Sequence, residues 1–180
     1  VVSLDLTDAD IETDILEWDY TKYPAGHFDI IWASPECTTF SNLRRSWIGR
    51  TLKAFGDEVI TRELLDKDMY DNGVPLLRKT QEIIEYFNPT YWFIENPQSS
   101  KMKDFIDAKP YTFDYCMYGF PYKKPTNIWS NKELTSCRCD KSHLINNKHK
   151  EILGDYPSRQ SRKDRYRIPE PLIVELLTVN

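Results

Sequence analysis

The stretch HFDIIWASPECTTFSNLRR, residues 27–45, sets a cysteine just beyond a short apolar run and a proline, with hydroxyl residues and arginines behind it. Phe28, Ile30, Ile31, Trp32 and Ala33 are apolar and rich in strand formers, so the run reads as a buried strand of an α/β sheet. Cys37 then lies at the carboxyl edge of that strand, where open α/β sheets collect ligands and chemistry. A lone cysteine is by default a structural thiol. The neighbouring Ser34-Pro35 and the hydroxyls beyond it weigh toward a nucleophile.

Outward from this strand, VVSLDL at the start reads as a strand ending in Asp5, and ETDILEWD as a second short strand or turn carrying Asp14. After Cys37 a polar, basic stretch to about residue 59 reads as a loop with a helical piece. Leu76, Leu77, Thr80, Ile83, Ile84 and Phe87 recur at helical spacing, which predicts an amphipathic helix over PLLRKTQEIIEYF, with Pro75 near its start and Asn88-Pro89 ending it. YWFIEN is another buried strand with Glu95 at its carboxyl edge. A short helix from Ser100 to Ile106 leads into the alternating Tyr111, Phe113 and Tyr115, PTNIWSN is a last strand candidate, and PEPLIVELL is a closing helix. Strand and helix alternate, which predicts a mostly parallel sheet with helices on both faces. Trp32, Trp92 and Trp129, each in a strand, are core candidates.

A chain of 180 residues is one domain by length. Its 40% hydrophobic and 29% charged residues are ordinary for a soluble protein, and no apolar run approaches the roughly 18 residues of a membrane span. It opens without a charged and apolar leader and its cysteines lack a secreted-scaffold spacing, so a reducing, non-secreted location is expected. The net charge of −4 argues against indiscriminate nucleic-acid binding, but the charge is uneven. Acids crowd the first twenty residues, and residues 141–168 are basic, which permits a polyanion on one side. The segment SCRCDKSHLINNKH brings Cys137, Cys139, His143 and His149 close in sequence, a density at which a zinc ion would pin a short loop, although Cys-x-Cys is tighter than usual.

Cys37 and Glu95 on one sheet edge form an informative pair. A thiolate adds to an electron-poor ring carbon, and a carboxyl group that protonates a ring nitrogen makes that carbon more electrophilic. The segment SPECTTFS resembles the Pro-Pro-Cys-Gln-x-Phe-Ser segment of the cytosine-5 DNA methyltransferases, with Pro35, Cys37, Phe40 and Ser41 in place, and FIENP resembles that family's Glu-Asn-Val segment. VVSLDL and TDILEWD resemble its ribose and adenine segments, and DRYRIPEPLIVELL the close of compact phage and viral members.

The resemblance implies a Rossmann-like S-adenosylmethionine-dependent fold, with a catalytic core over 1–130, a short basic recognition segment with a candidate metal site over 131–166, and a helix over 167–180 returning to the core. It also implies that Cys37 attacks C6 of a cytosine flipped out of double-stranded DNA, that Glu95 holds N3 and the exocyclic amine, and that Asn96 orients the loop. Asp5 would bind the cofactor ribose and Asp14 its adenine, with Pro35 beside the cofactor. Ser41, Arg44, Arg45, Lys123, Lys124, Arg162 and Arg165 are the DNA-facing candidates, and Cys137, Cys139 and His143 the metal ligands. The protein would act in the cytoplasm, or wherever a virus keeps its DNA, with no membrane partner, and restriction-modification, viral self-marking and other roles all stay open.

Several residues depart from the family. Glu36 replaces a proline and would raise the thiol's pKa by like-charge repulsion. Thr38 replaces a glutamine. KKPTNIWS stands where an arginine-rich segment is expected, with Asn127 in an arginine's place. The glycines are scattered singly and none makes a cofactor turn after a first strand, so the chain reads as beginning at the fold's second strand. These departures keep two other readings open, a catalytically silent DNA-binding remnant and an RNA cytosine-5 methyltransferase.

Overall fold

The computed structural model describes residues 1–153 and 162–178, the side chains of Arg162 and Lys163 excepted. Its centre is a four-stranded sheet ordered β3-β4-β6-β5, built from β3 (Ile30–Ala33), β4 (Tyr91–Pro97), β5 (Tyr111–Asp114) and β6 (Pro125–Ser130). Strands β1 (Leu4–Asp5) and β2 (Ile11–Glu12) pair in parallel as a separate small sheet.

The central sheet is mixed. β3 and β4 run parallel, with Ala33 beside Ile94, whereas β6 is antiparallel to both β4 and β5. This differs from the mostly parallel expectation for a covalent reason. Only residues 115–124 join β5 to β6, and a parallel pair needs a crossover of about a dozen residues or more, usually a helix.

Side-chain alternation along the strands builds a core on each face. On one face Ile31, Ala33, Trp92, Ile94 and Trp129 pack with Leu77 and Ile84 of α2 (Val74–Phe87), after the short α1 (Arg62–Asp68). On the other, Trp32, Phe93, Phe113 and Ile128 pack with Leu172 and Leu176 of α4 (Glu170–Leu177), which follows the one-turn α3 (Arg162–Tyr166). Of the candidate core tryptophans Trp129 is fully enclosed, and Trp32 and Trp92 are half-buried.

Helix α2 carries its predicted stripe, with Leu77, Thr80, Ile83, Ile84 and Phe87 buried, and stops at Asn88 in the left-handed conformation (φ 44°) before Pro89. Helix α1, unread in the sequence because it is only two turns long, begins at Thr61, whose hydroxyl accepts from Leu64 N at 3.1 Å. A π-helical turn, Met69–Gly73, joins it to α2. The segment from Ser100 is a single 3-10 turn, Lys101–Asp104.

Candidate active site

Residues 34–41 leave the carboxyl end of β3 and are held from below by the end of β4. Asn96, 1% exposed, donates from Nδ2 to the Pro35 carbonyl at 3.0 Å. Lys101 N donates to the Phe40 carbonyl at 2.9 Å, and Ser41 and Ser100 form a β-bridge. Cys37 is thus a half-buried thiol on a loop fixed on both sides. Gly73 allows a close approach here, since a Cβ at that position would sit 2.1 Å from Thr39 Oγ1.

Glu95 is paired with Ile128 across the β4–β6 ladder and is buried. Tyr115 Oη donates to its Oε1 at 3.1 Å, and the Ser34 side chain also reaches it. Burial pushes the Glu95 carboxyl above its ordinary pKa, against the opposing pull of Lys124 and those hydrogen bonds. The group is therefore biased toward its protonated form, the form that can donate to a ring nitrogen. The Cys37 thiol is raised by burial first and by the Glu95 charge second, with Glu36 the weakest contributor. The proline replacement thus matters less at the thiol than the neighbouring acid.

Lys124 supplies the cation at this site. It is buried, its Nζ donates to the Arg165 carbonyl at 2.9 Å and lies 4.8 Å from the Tyr115 ring centre, and its pKa is lowered by burial while Glu95 and Cys37 pull it up. Asn127, in the place of an arginine, is buried and accepts from Thr112 Oγ1 at 2.9 Å. Lys123 turns elsewhere, to Asp114 Oδ2 at 3.5 Å.

The other cation candidates divide. Arg44 is turned into the protein. It is 4% exposed, paired with Asp68, bonded to the Thr39 carbonyl at 3.0 Å, and 5.4 Å from the ring centres of both Trp47 and Phe55. A 3-10 helix, Asn42–Trp47, turns Arg44 inward and leaves Arg45 exposed, a facing that no helical repeat announces. Arg45 and Ser41 line a cleft with Arg44, Arg62, Lys101 and Asp66, whose carboxylate pairs with Lys101 at 2.7 Å; the sequence does not single out Arg62 and Lys101 because they lie far from the cysteine in the chain. Arg165 is exposed, and the side chain of Arg162 lies outside the described residues.

Asp5 and Asp14 are exposed near the carboxyl ends of β1 and β2, accepting from Leu6 N at 2.7 Å and Leu16 N at 2.9 Å. The cysteine and histidine candidates are regrouped. Cys116, Cys139, His143 and His149 have their ligating atoms within 4.8 Å of one another, and Cys137 is not among them. Cys137 instead bridges to Phe113, with Cys137 N donating to the Thr112 carbonyl at 3.1 Å, and packs against the Phe113 side of the core. Cys116 escaped notice because it stands alone in the sequence, at the end of β5.

The fold is of the α/β class, with a cysteine and an acid at the carboxyl ends of neighbouring parallel strands, the edge where such sheets collect ligands and chemistry. No family model matches the chain. It is 37% identical over 193 aligned positions, covering 98% of this chain and 87% of the relative, to a "Probable DNA (cytosine-5)-methyltransferase" of Frog virus 3 (isolate Goorha). The chain belongs to the family of that viral DNA cytosine-5 methyltransferase.

Proposed function

We propose that this chain methylates cytosine at C5 in DNA through a covalent adduct on Cys37. The observation that carries the reading is the placement of a half-buried thiol beside a buried carboxyl that favours its proton. The Cys37 thiolate adds to C6 of the cytosine, forming a carbon–sulfur bond, while Glu95 donates to N3 and accepts from the exocyclic amine, so that the displaced electron pair makes C5 nucleophilic. After C5 is methylated, its proton passes to water, the C5–C6 double bond reforms, the thiolate is expelled and the N3 proton returns to Glu95. Asn96 keeps the cysteine loop in place, and, against the rise from burial, the Lys124 charge pulls the Cys37 thiol down, toward the thiolate that attacks.

C6 is inaccessible in stacked DNA, so the base must be flipped out at a cost of about a few kcal/mol. Exposed Arg45, Arg62 and Arg165, with Ser41, are suited to the phosphates that repay it. The family of the viral relative supports S-adenosylmethionine as the cofactor, and Asp5 and Asp14 are exposed carboxylates of the kind that would accept from its ribose diol and adenine amine, with Pro35 beside it. When bound, it supplies an electrophilic methyl group.

The test is covalent trapping. The chain, S-adenosylmethionine and DNA containing 5-fluorocytosine are incubated together, the fluorine blocking the final elimination. A denaturation-resistant adduct lost in Cys37→Ser is expected. No adduct over a varied set of DNA sequences, with binding intact, would overturn the reading in favour of a silent binding remnant, and trapping on RNA alone would reassign the substrate.

A further inference from the structure

The sequence groups Cys137 with Cys139 and the histidines, but the fold draws in a cysteine from the core. Cys116 lies in the 3-10 turn Tyr115–Tyr118 that directly follows β5. Residues 137–139 run alongside that strand, with Asp114 N donating to the Cys137 carbonyl at 2.8 Å and Cys139 N donating to Asp114 Oδ2 at 2.8 Å. The chain then makes two tight turns, with Lys141, Asn146 and Asn147 at positive φ and a bridge between Ile145 and Lys148. These turns bring His143 and His149 back, their ring centres 5.5 Å apart, and His149 Nε2 comes 3.6 Å from Cys139 Sγ.

We propose that Cys116, Cys139, His143 and His149 bind a structural zinc ion that staples the 137–149 loop to the end of β5. A tetrahedral zinc with Zn–S near 2.3 Å and Zn–N near 2.0–2.1 Å has ligand–ligand edges of roughly 3.3–3.8 Å. The ligating atoms here lie within 4.8 Å of one another, so a contraction of side chains alone closes the shell. Cys139, His143 and His149 have the spacing Cys-x3-His-x5-His, within the range of such sites, and Cys116 is the fourth ligand from a distant, rigid element. Binding replaces both thiol protons, which go to solvent, and leaves the imidazoles neutral.

The shell around the ligands is already built. Asp114, fully enclosed, holds Cys139 N, Arg138 Nε at 3.1 Å and Lys123 at 3.5 Å through one oxygen, fixing the loop's entry beside Cys116. A basic loop carrying Arg138, Lys141, Lys148 and Lys150 would be held as a fixed surface.

The purified chain, kept reduced, is assayed for metal by elemental analysis and titrated with cobalt(II) as an optical probe. The expected result is stoichiometric zinc, and a cobalt form with tetrahedral ligand-field bands and thiolate charge transfer. Cys137→Ser should leave both unchanged and Cys116→Ser should abolish both. Because the latter variant can also misfold, His149→Cys provides a second arm, expected to keep the metal with stronger thiolate charge transfer. Failure to take up either ion, a Cys116–Cys139 disulfide in its place, or equal damage from Cys137→Ser would each overturn the assignment.

Discussion

Asn96 Nδ2 and the Pro35 carbonyl oxygen, 61 residues apart in sequence, meet at 3.0 Å beneath the cysteine loop. Asn96 is enclosed, and under the proposed function it would act by positioning Cys37 and not by touching substrate. Asn96→Ala removes the donor and strands a carbonyl, at about 1–3 kcal/mol in urea unfolding. Adduct formation should slow by about 10²-fold, the order expected when a reacting group loses its placement, while DNA affinity stays as it was. An adduct rate that falls only in step with the unfolded fraction would reduce Asn96 to a structural residue.

Glu95 combines a cost in stability with a use in chemistry. Its folded pKa lies above the ordinary 4.5, so folding binds its proton more tightly, and that contribution is complete below the unfolded value and lost as pH rises through the folded one. Above that window the native state carries a buried carboxylate. Glu95→Gln should therefore gain on the parent in stability as the pH rises above the ordinary carboxyl range, with the gap closing as the pH falls. The same substitution removes a charge that holds the Cys37 thiol up, so site-resolved alkylation of Cys37 should shift to lower pH. A variant that gains nothing on the parent as the pH rises, or an unmoved alkylation profile, would contradict the electrostatics described here.

Arg44 and Arg45 are neighbours with separate tasks. Arg44→Ala breaks an enclosed ion pair whose partner, Asp68, keeps 23% of its side-chain exposure, so a loss of about 2–4 kcal/mol is expected, toward the low side for a buried pair. Arg45→Ala should change stability by no more than about 0.5 kcal/mol and reduce the salt dependence of DNA binding by about one phosphate contact. Salt titrations of DNA affinity beside urea melts separate the two, and a reversal of the pattern would show that the loop turns the other way in the complex.

What could be read from the sequence was whatever repeats or clusters at short range. The strand before Cys37, the strand before Glu95 and the stripe of α2 each lie within a single window, and so do the two catalytic candidates. The antiparallel placement of β6 depends on the shortness of its connection to β5, not on any local pattern. Arg44 turns inward to its partner Asp68, 24 residues away, a pairing made only by the folded chain. Cys116 joined the histidines because β5 passes beside residue 137, a contact made only by the folded chain.

Lys123 and Lys124 stand side by side and serve different centres, one at Asp114 and the other beside Glu95 and Cys37. The distinction is carried by position along the chain, since the two side chains are the same. A one-codon insertion between Lys124 and Pro125 would slide Lys124 into its neighbour's place and set an arbitrary residue beside the acid. This turn should therefore tolerate exchange of letters more readily than a change in their number.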